Sequence, residues 1–143
     1  MNGRDRGYLL VRAGRRRVGL ALSQVLEVLD LGPAYPVPSV EPSVRGVTTV
    51  RGRIVPLVHL GALLQGGSCP SVRGEAAVMV ELDGYRFCLE VEAAETVLLE
   101  PGLPVPKGTT LPWAVAVARH ADGLVPLLDL SALGARFTEA VPA

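Results

Sequence analysis

Two charged residues interrupt otherwise apolar runs: Glu27 in VLEVLDL, and Arg51 at the head of an Arg51-Gly52 turn between two apolar segments. A carboxylate and a guanidinium so placed are either two unrelated solvated charges or an ion pair across a strand edge that fixes the shape of a binding surface. Exposed pairs add little stability, so the purpose of such a pair would be orientation. Covalent chemistry has less support. His59 and His120 are the only histidines, and neither has the HExxH spacing of a metal site. The nucleophile elbow GxSxG, the dinucleotide fingerprint GxGxxG and the phosphate-binding P-loop are all missing. His59 ends an apolar strand just before a helical turn, where a side chain that caps the turn is expected rather than a ligand or base. We therefore expect no catalytic residue, no metal and no cofactor.

The glycines beside Arg51 matter for a different reason. Gly52 is explained by turn geometry, because glycine adopts positive φ without strain. Gly46 lies inside a strand, where glycine marks a bulge or the close approach of another backbone, and a partner is one candidate for that approach. Cys69 falls in a Gly/Ser/Pro loop and Cys88 in mid-strand. With no CxxC spacing, both read as free thiols of a reducing cytoplasm.

These residues must be positioned by short strands. Tyr8 to Ala13 and Val18 to Leu22 read as a hairpin across a polar turn at Gly14 to Arg17. Ser23 could cap one helical turn, and Val25 to Leu31 continues as a strand or short helix. Gly32 to Ser43 carries four prolines and reads as an extended loop. Val44 to Val50 and Arg53 to Val58 flank the Arg51-Gly52 turn. Pro56 must sit at an edge or bulge because it lacks an N–H. Leu60 to Leu64 is a helical turn.

The second half repeats this plan. Ala76 to Leu82 and Tyr85 to Val91 flank Asp83-Gly84, the strongest hairpin signal in the chain. Glu95 to Leu99 is a strand and Glu100 to Thr110 a loop. A last hairpin turns around Asp122 and Gly123, and Ser131 to Ala135 closes with a helical turn. The repeat is explicit: RIVPLVHLGALL at Arg53 to Leu64 recurs as GLVPLLDLSALG at Gly123 to Gly134, an offset of 70 positions. A fainter echo relates Val18, Leu20, Leu22 and Val28 to Phe87, Leu89, Val91 and Val97. We expect an all-β chain of about ten strands, forming two small closed or nearly closed barrels that remove unpaired edges. At 143 residues this is one domain, with pseudo-repeat halves near 1–65 and 75–143 packed together.

Charge narrows the partners. The total is zero, yet residues 1–53 carry nine Arg and four acids, while 54–143 carry five bases and ten acids. Such asymmetry can mean complementary partner faces or a weak head-to-tail self-association. Nucleic-acid binding is disfavoured by the zero total and by only six aromatic residues. A small-barrel nucleic-acid module using Arg12 to Arg17 is the alternative of that class, and an enzyme or small-molecule sensor with a ligand between the barrels is another. No apolar run reaches the roughly 18 residues of a membrane span, so no direct membrane insertion is expected.

GVTTVRGRIVPLVHL, Gly46 to Leu60, resembles the central signature of CheW-like domains, the adaptor modules of bacterial chemotaxis. The upstream VLEV and the downstream LVPLLDLSAL resemble other parts of the same family. The resemblance implies two intertwined SH3-like five-stranded barrels. It implies a cytoplasmic, non-enzymatic coupling protein that joins chemoreceptors, at their cytoplasmic tips, to the regulatory domain of a CheA-like histidine kinase. The family's receptor-facing positions fall on Val25, Glu27, Gly46, Arg51 and Gly52, within an apolar surface that also takes in Val44 and Ile54. Three positions depart from the family pattern. Thr49 replaces Asn before the turn, His59 replaces Asp, and Val18 replaces an aromatic. The first two alter turn capping and keep a gliding or pilus motility pathway as an alternative setting.

Overall fold

The structure, a computed structural model, describes residues 7–133 apart from 40, 100, 101, 109, 110, 112 and 122. The expected turn residue Asp122, both ends of the Glu100 to Thr110 loop and the end of the closing turn at Ala135 lie outside the described residues.

The first hairpin pairs β1 (Tyr8–Ala13) with β2 (Arg16–Ala21) in unbroken antiparallel register. A 3-10 turn, Leu22–Gln24, follows, but it starts from Ala21 and has no side-chain cap, so Ser23 lies within it rather than at its head. The next segment is a strand, β3 (Val25–Asp30), because it pairs with β7 (Ala76–Leu82). The proline-rich stretch is not wholly loop. Ala34–Tyr35 forms β4 and pairs with β5 (Val44–Val50). β6 (Arg53–His59) returns along β5 and runs into helix α1 (Leu60–Gln65). In the second half β8 (Tyr85–Val91) pairs with β7, β9 (Ala93–Leu98) with β1, and β10 (Ala114–His120) with β11 (Gly123–Leu128). A 3-10 turn at Leu130–Leu133 follows.

The strands form two sheets, ordered β10-β11-β2-β1-β9 and β3-β7-β8-β6-β5-β4. Both are built on one plan, but each takes a hairpin from the other half of the chain. The β1–β2 hairpin sits beside β11 and β9, and the β7–β8 hairpin sits beside β6 and β3. The joints are the two parallel pairings, Leu57↔Cys88 through His59↔Glu90 and Leu127↔Gly19 with Leu128↔Leu20. Pro56 and Pro126 each stand one residue before such a ladder begins, where a missing N–H breaks no pairing. Even the short β4 has an echo, since Leu103 and Val117 exchange backbone hydrogen bonds as an isolated bridge. Among the described residues both sheets run in open order, with no ladder that closes either of them into a barrel.

The main core lies between the sheets and draws Leu9, Val11 and Leu20 from one, Val78, Val80 and Leu89 from the other, and Leu60 and Leu63 from α1. A second cluster, Val55, Leu57, Ala77, Met79 and Cys88, fills the opposite face of the second sheet. Strands β7 and β8 are thus buried on both faces. That is why AVMV and FCL read as continuous apolar runs instead of alternating with polar residues.

Candidate partner-binding surface

Arg51 and Gly52 form the β5–β6 turn with φ of 51° and 79°. Positive φ at both central residues is the type I′ pattern that matches the twist of a hairpin. A Cβ on Gly52 would meet nothing within 4 Å, so this glycine serves backbone conformation and not space.

The turn aims Arg51 at Glu27. Both guanidinium Nη atoms donate to the two carboxylate oxygens, a bidentate pair across 24 residues of chain. In pairing order β3 and β5 are separated by three strands, about 19 Å apart in a flat sheet at about 4.8 Å per strand. The contact therefore requires the sheet to curl until the Glu27 and Arg51 side chains come within reach, and the pair spans the mouth of that curl. Arg51 donation holds the Glu27 carboxyl below the usual carboxylate range, against a smaller opposing effect of burial, and Glu27 in turn raises the Arg51 pKa. Beneath the pair is a cavity of about 250 Å³ lined by Leu29, Thr48, Val50, Ala77 and Cys88. Burial pushes the Cys88 thiol up to about 11, with the Glu27 charge adding to the effect.

The remaining expected site residues separate into exposed and supporting positions. Ile54 is 71% exposed beside the turn, and Leu26 and Val28 of β3 are also exposed. Val25 is buried in the main core and Val44 packs against it. Gly46 is buried at φ 149°, and a Cβ there would fall 2.1 Å from the Tyr35 carbonyl oxygen. The close approach that Gly46 permits therefore comes from β4 of this same chain, which occupies that face of the strand.

Sequence reasoning missed a second bidentate pair. Arg45 donates from Nε to Glu90 Oε1 at 2.5 Å and from Nη2 to Oε2 at 3.0 Å, and Glu90 also accepts from Gly74 N at 2.7 Å. Arg45 further donates to the Pro70 carbonyl. The group ties the 66–75 connection to the strands. Its only sequence signal was an acid inside the apolar run FCLEV.

His59 does cap a helical turn. Its Nδ1 accepts from Ala62 N at 3.0 Å, as Asp129 Oδ1 accepts from Ser131 N at 2.9 Å in the second copy. Nε2 lies 3.3 Å from Glu92 Oε1 without the alignment of a hydrogen bond, while Glu92 Oε2 accepts from Gly14 N at 2.6 Å. His59 thus has a packed structural position between the two sheets. Among the described residues no group of three or more His, Cys, Asp or Glu side chains is placed to hold a metal. Both cysteines are free. No described helix is long and apolar enough to cross a membrane.

The two copies are unequal at this surface. The repeat places Thr96 and Ala121 where the first copy has Glu27 and Arg51, so the turn conformation recurs, with Ala121 φ at 50°, but the ion pair does not.

The fold and site define an all-β, two-sheet domain whose distinctive surface is an oriented charge pair among exposed apolar side chains. The family model for the CheW-like domain matches residues 7–136, and the chain belongs to that family. Among solved structures it is similar to the scaffolding protein TtCheW from Thermoanaerobacter tengcongensis. The two share 21% identity over 88% of this chain and 85% of that one, with a TM-score of 0.74. A search of curated proteins found no match.

Proposed function

We propose that the chain is a non-enzymatic chemotaxis adaptor that works in the cytoplasm and couples the cytoplasmic tip of a chemoreceptor to the regulatory domain of a CheA-like histidine kinase. The observation that carries this reading is the Glu27–Arg51 pair, present in one copy of the repeat only and set beside the exposed Ile54. Glu27, Arg51, Gly52 and Ile54 form the receptor contact. Val25, Val44 and Gly46 shape it from beneath. Exposed apolar side chains supply affinity in such contacts, and a fixed charge pair chooses register and partner.

Titration of Arg51→Ala and Ile54→Asp variants against a receptor-tip fragment and against the kinase regulatory domain tests the reading. Both variants should keep the native circular dichroism spectrum and bind the receptor fragment at least about tenfold more weakly, the scale of a lost contact worth about 1.4 kcal/mol. Unchanged receptor binding by both folded variants would sink the assignment of this surface.

A further inference from the structure

A groove of about 860 Å³ opens at the far end of the other sheet, lined by Arg15, Arg16 and Arg17 on one wall and by His120, Leu124 and Pro126 on the other. Its origin is in the strand pairing. β2 begins at Arg16 and β11 at Gly123, but their parallel ladder begins only at Gly19 and Leu127. Pro126 has no N–H with which to extend that ladder, so the two strands part before it. Among the described residues, the side of β2 away from β1 has no strand neighbour along Arg16 to Val18.

The β2 wall is basic and the β11 wall largely apolar. Arg17 donates to Glu95 at 2.7 Å, and Arg12 lies 3.8 Å from the same carboxylate. Arg16 sits over the Trp113 ring, 5.8 Å from its centre, with no carboxylate partner among the described residues. Arg15 is exposed and makes no ion pair among the described residues. On the opposite wall Leu124 is 53% exposed.

We propose that this groove is a docking site for an extended, acidic protein segment that carries an apolar residue among its carboxylates. An unpaired strand side can hydrogen-bond an added peptide backbone, which neither a membrane surface nor a folded base pair would supply. Arg15 and Arg16 would take carboxylates, and Leu124 the apolar side chain. Bases would need exposed aromatic rings to stack on, whereas Trp113 is 5% exposed and already engaged by Arg16. The proposal does not depend on the receptor and kinase reading, because the groove lies on the other sheet from Glu27 and Arg51.

The test is a fluorescence anisotropy titration of the whole chain with a labelled peptide of repeating Glu-Glu-Leu units. The same peptide with Gln for Glu, a single-stranded oligonucleotide and phosphatidylserine vesicles serve as competitors. Saturable binding of the acidic peptide that weakens with added salt, and that falls at least about tenfold in Arg15→Glu and in Leu124→Glu, supports the site. Two variants on opposite walls keep the result readable if one of them misfolds. Equal binding of the Gln peptide, no binding, or full binding by both folded variants overturns the proposal. Preferential binding of the oligonucleotide or the vesicles overturns it in favour of those partners.

Discussion

Arg45 and Glu90 are joined face to face by two hydrogen bonds, with the Glu90 side chain fully buried and that of Arg45 only 15% exposed. Glu90 draws the Arg45 pKa upward, so the guanidinium is charged at any ordinary pH. Removing one partner of such a pair strands a charge in the interior. Arg45→Met should cost about 3 to 5 kcal/mol and lower the melting temperature by roughly 10 °C, read by thermal denaturation. The double variant Arg45→Met/Glu90→Leu should recover much of that loss, because no charge is then left buried.

Glu27 predicts a pH signature. Its folded pKa is depressed by Arg51, so the pair's stabilisation is present above the unfolded Glu value, about 4.3, and is lost as pH falls through the lower folded value. Carboxyl carbon NMR titration should place Glu27 below the ordinary glutamate range, and in Arg51→Ala it should move up toward that range. A titration midpoint that is the same in both proteins would refute the pairing in solution. The melting temperature should change little at neutral pH, since both groups face solvent.

His59 caps α1 while buried between the sheets. His59→Ala should cost about 1 to 2 kcal/mol in a urea melt through the lost cap alone. His59→Asn, whose side-chain oxygen can accept from Ala62 N, should recover part of this. Equal losses in the two variants would show that packing, not capping, is what the histidine supplies.

Gly46 and Gly52 make an internal comparison. Both have positive φ, but only Gly46 faces a backbone carbonyl at 2.1 Å from a would-be Cβ. Gly52→Ala should cost about 1 kcal/mol of conformational strain, and Gly46→Ala about 2 kcal/mol or more, with β4 displaced. Hydrogen exchange at the Val47 and Thr48 amides should rise in the second variant alone. A Gly46→Arg variant would consequently report on folding rather than on partner contact.

Much of the fold was legible because its signals are local. The Asp83-Gly84 and Arg51-Gly52 turns adopt positive φ at both central residues, as hairpin chemistry requires. The shared VPL segments marked equivalent strands, and both prolines stand where a parallel ladder starts. What escaped notice depends on contacts between distant segments. Nothing in the local pattern of β6 says that its parallel neighbour is β8, 31 residues on, rather than a strand of its own half. Arg45 looked like any charge on a half-exposed strand, because its meaning lies in Glu90, 45 residues away. β4 was hidden by its prolines, since two residues of pairing leave no periodicity to read. Of the candidate surface, the Glu27–Arg51 pairing was one of two readings, and the burial of Gly46 by Tyr35 could not be told from an approach by a partner.

The exchange of hairpins gives the duplication an uneven legacy. Neither half of the chain contains a finished sheet, so the two copies cannot be pulled apart into two working modules, even though the repeat suggests it. The strand that carries Glu27 rests on a hairpin from the other copy, and the groove at Arg15 is walled by strands from both. A domain sewn together in this way has two ends with different chemistry but a single frame, and a substitution that loosens one seam is felt at both ends.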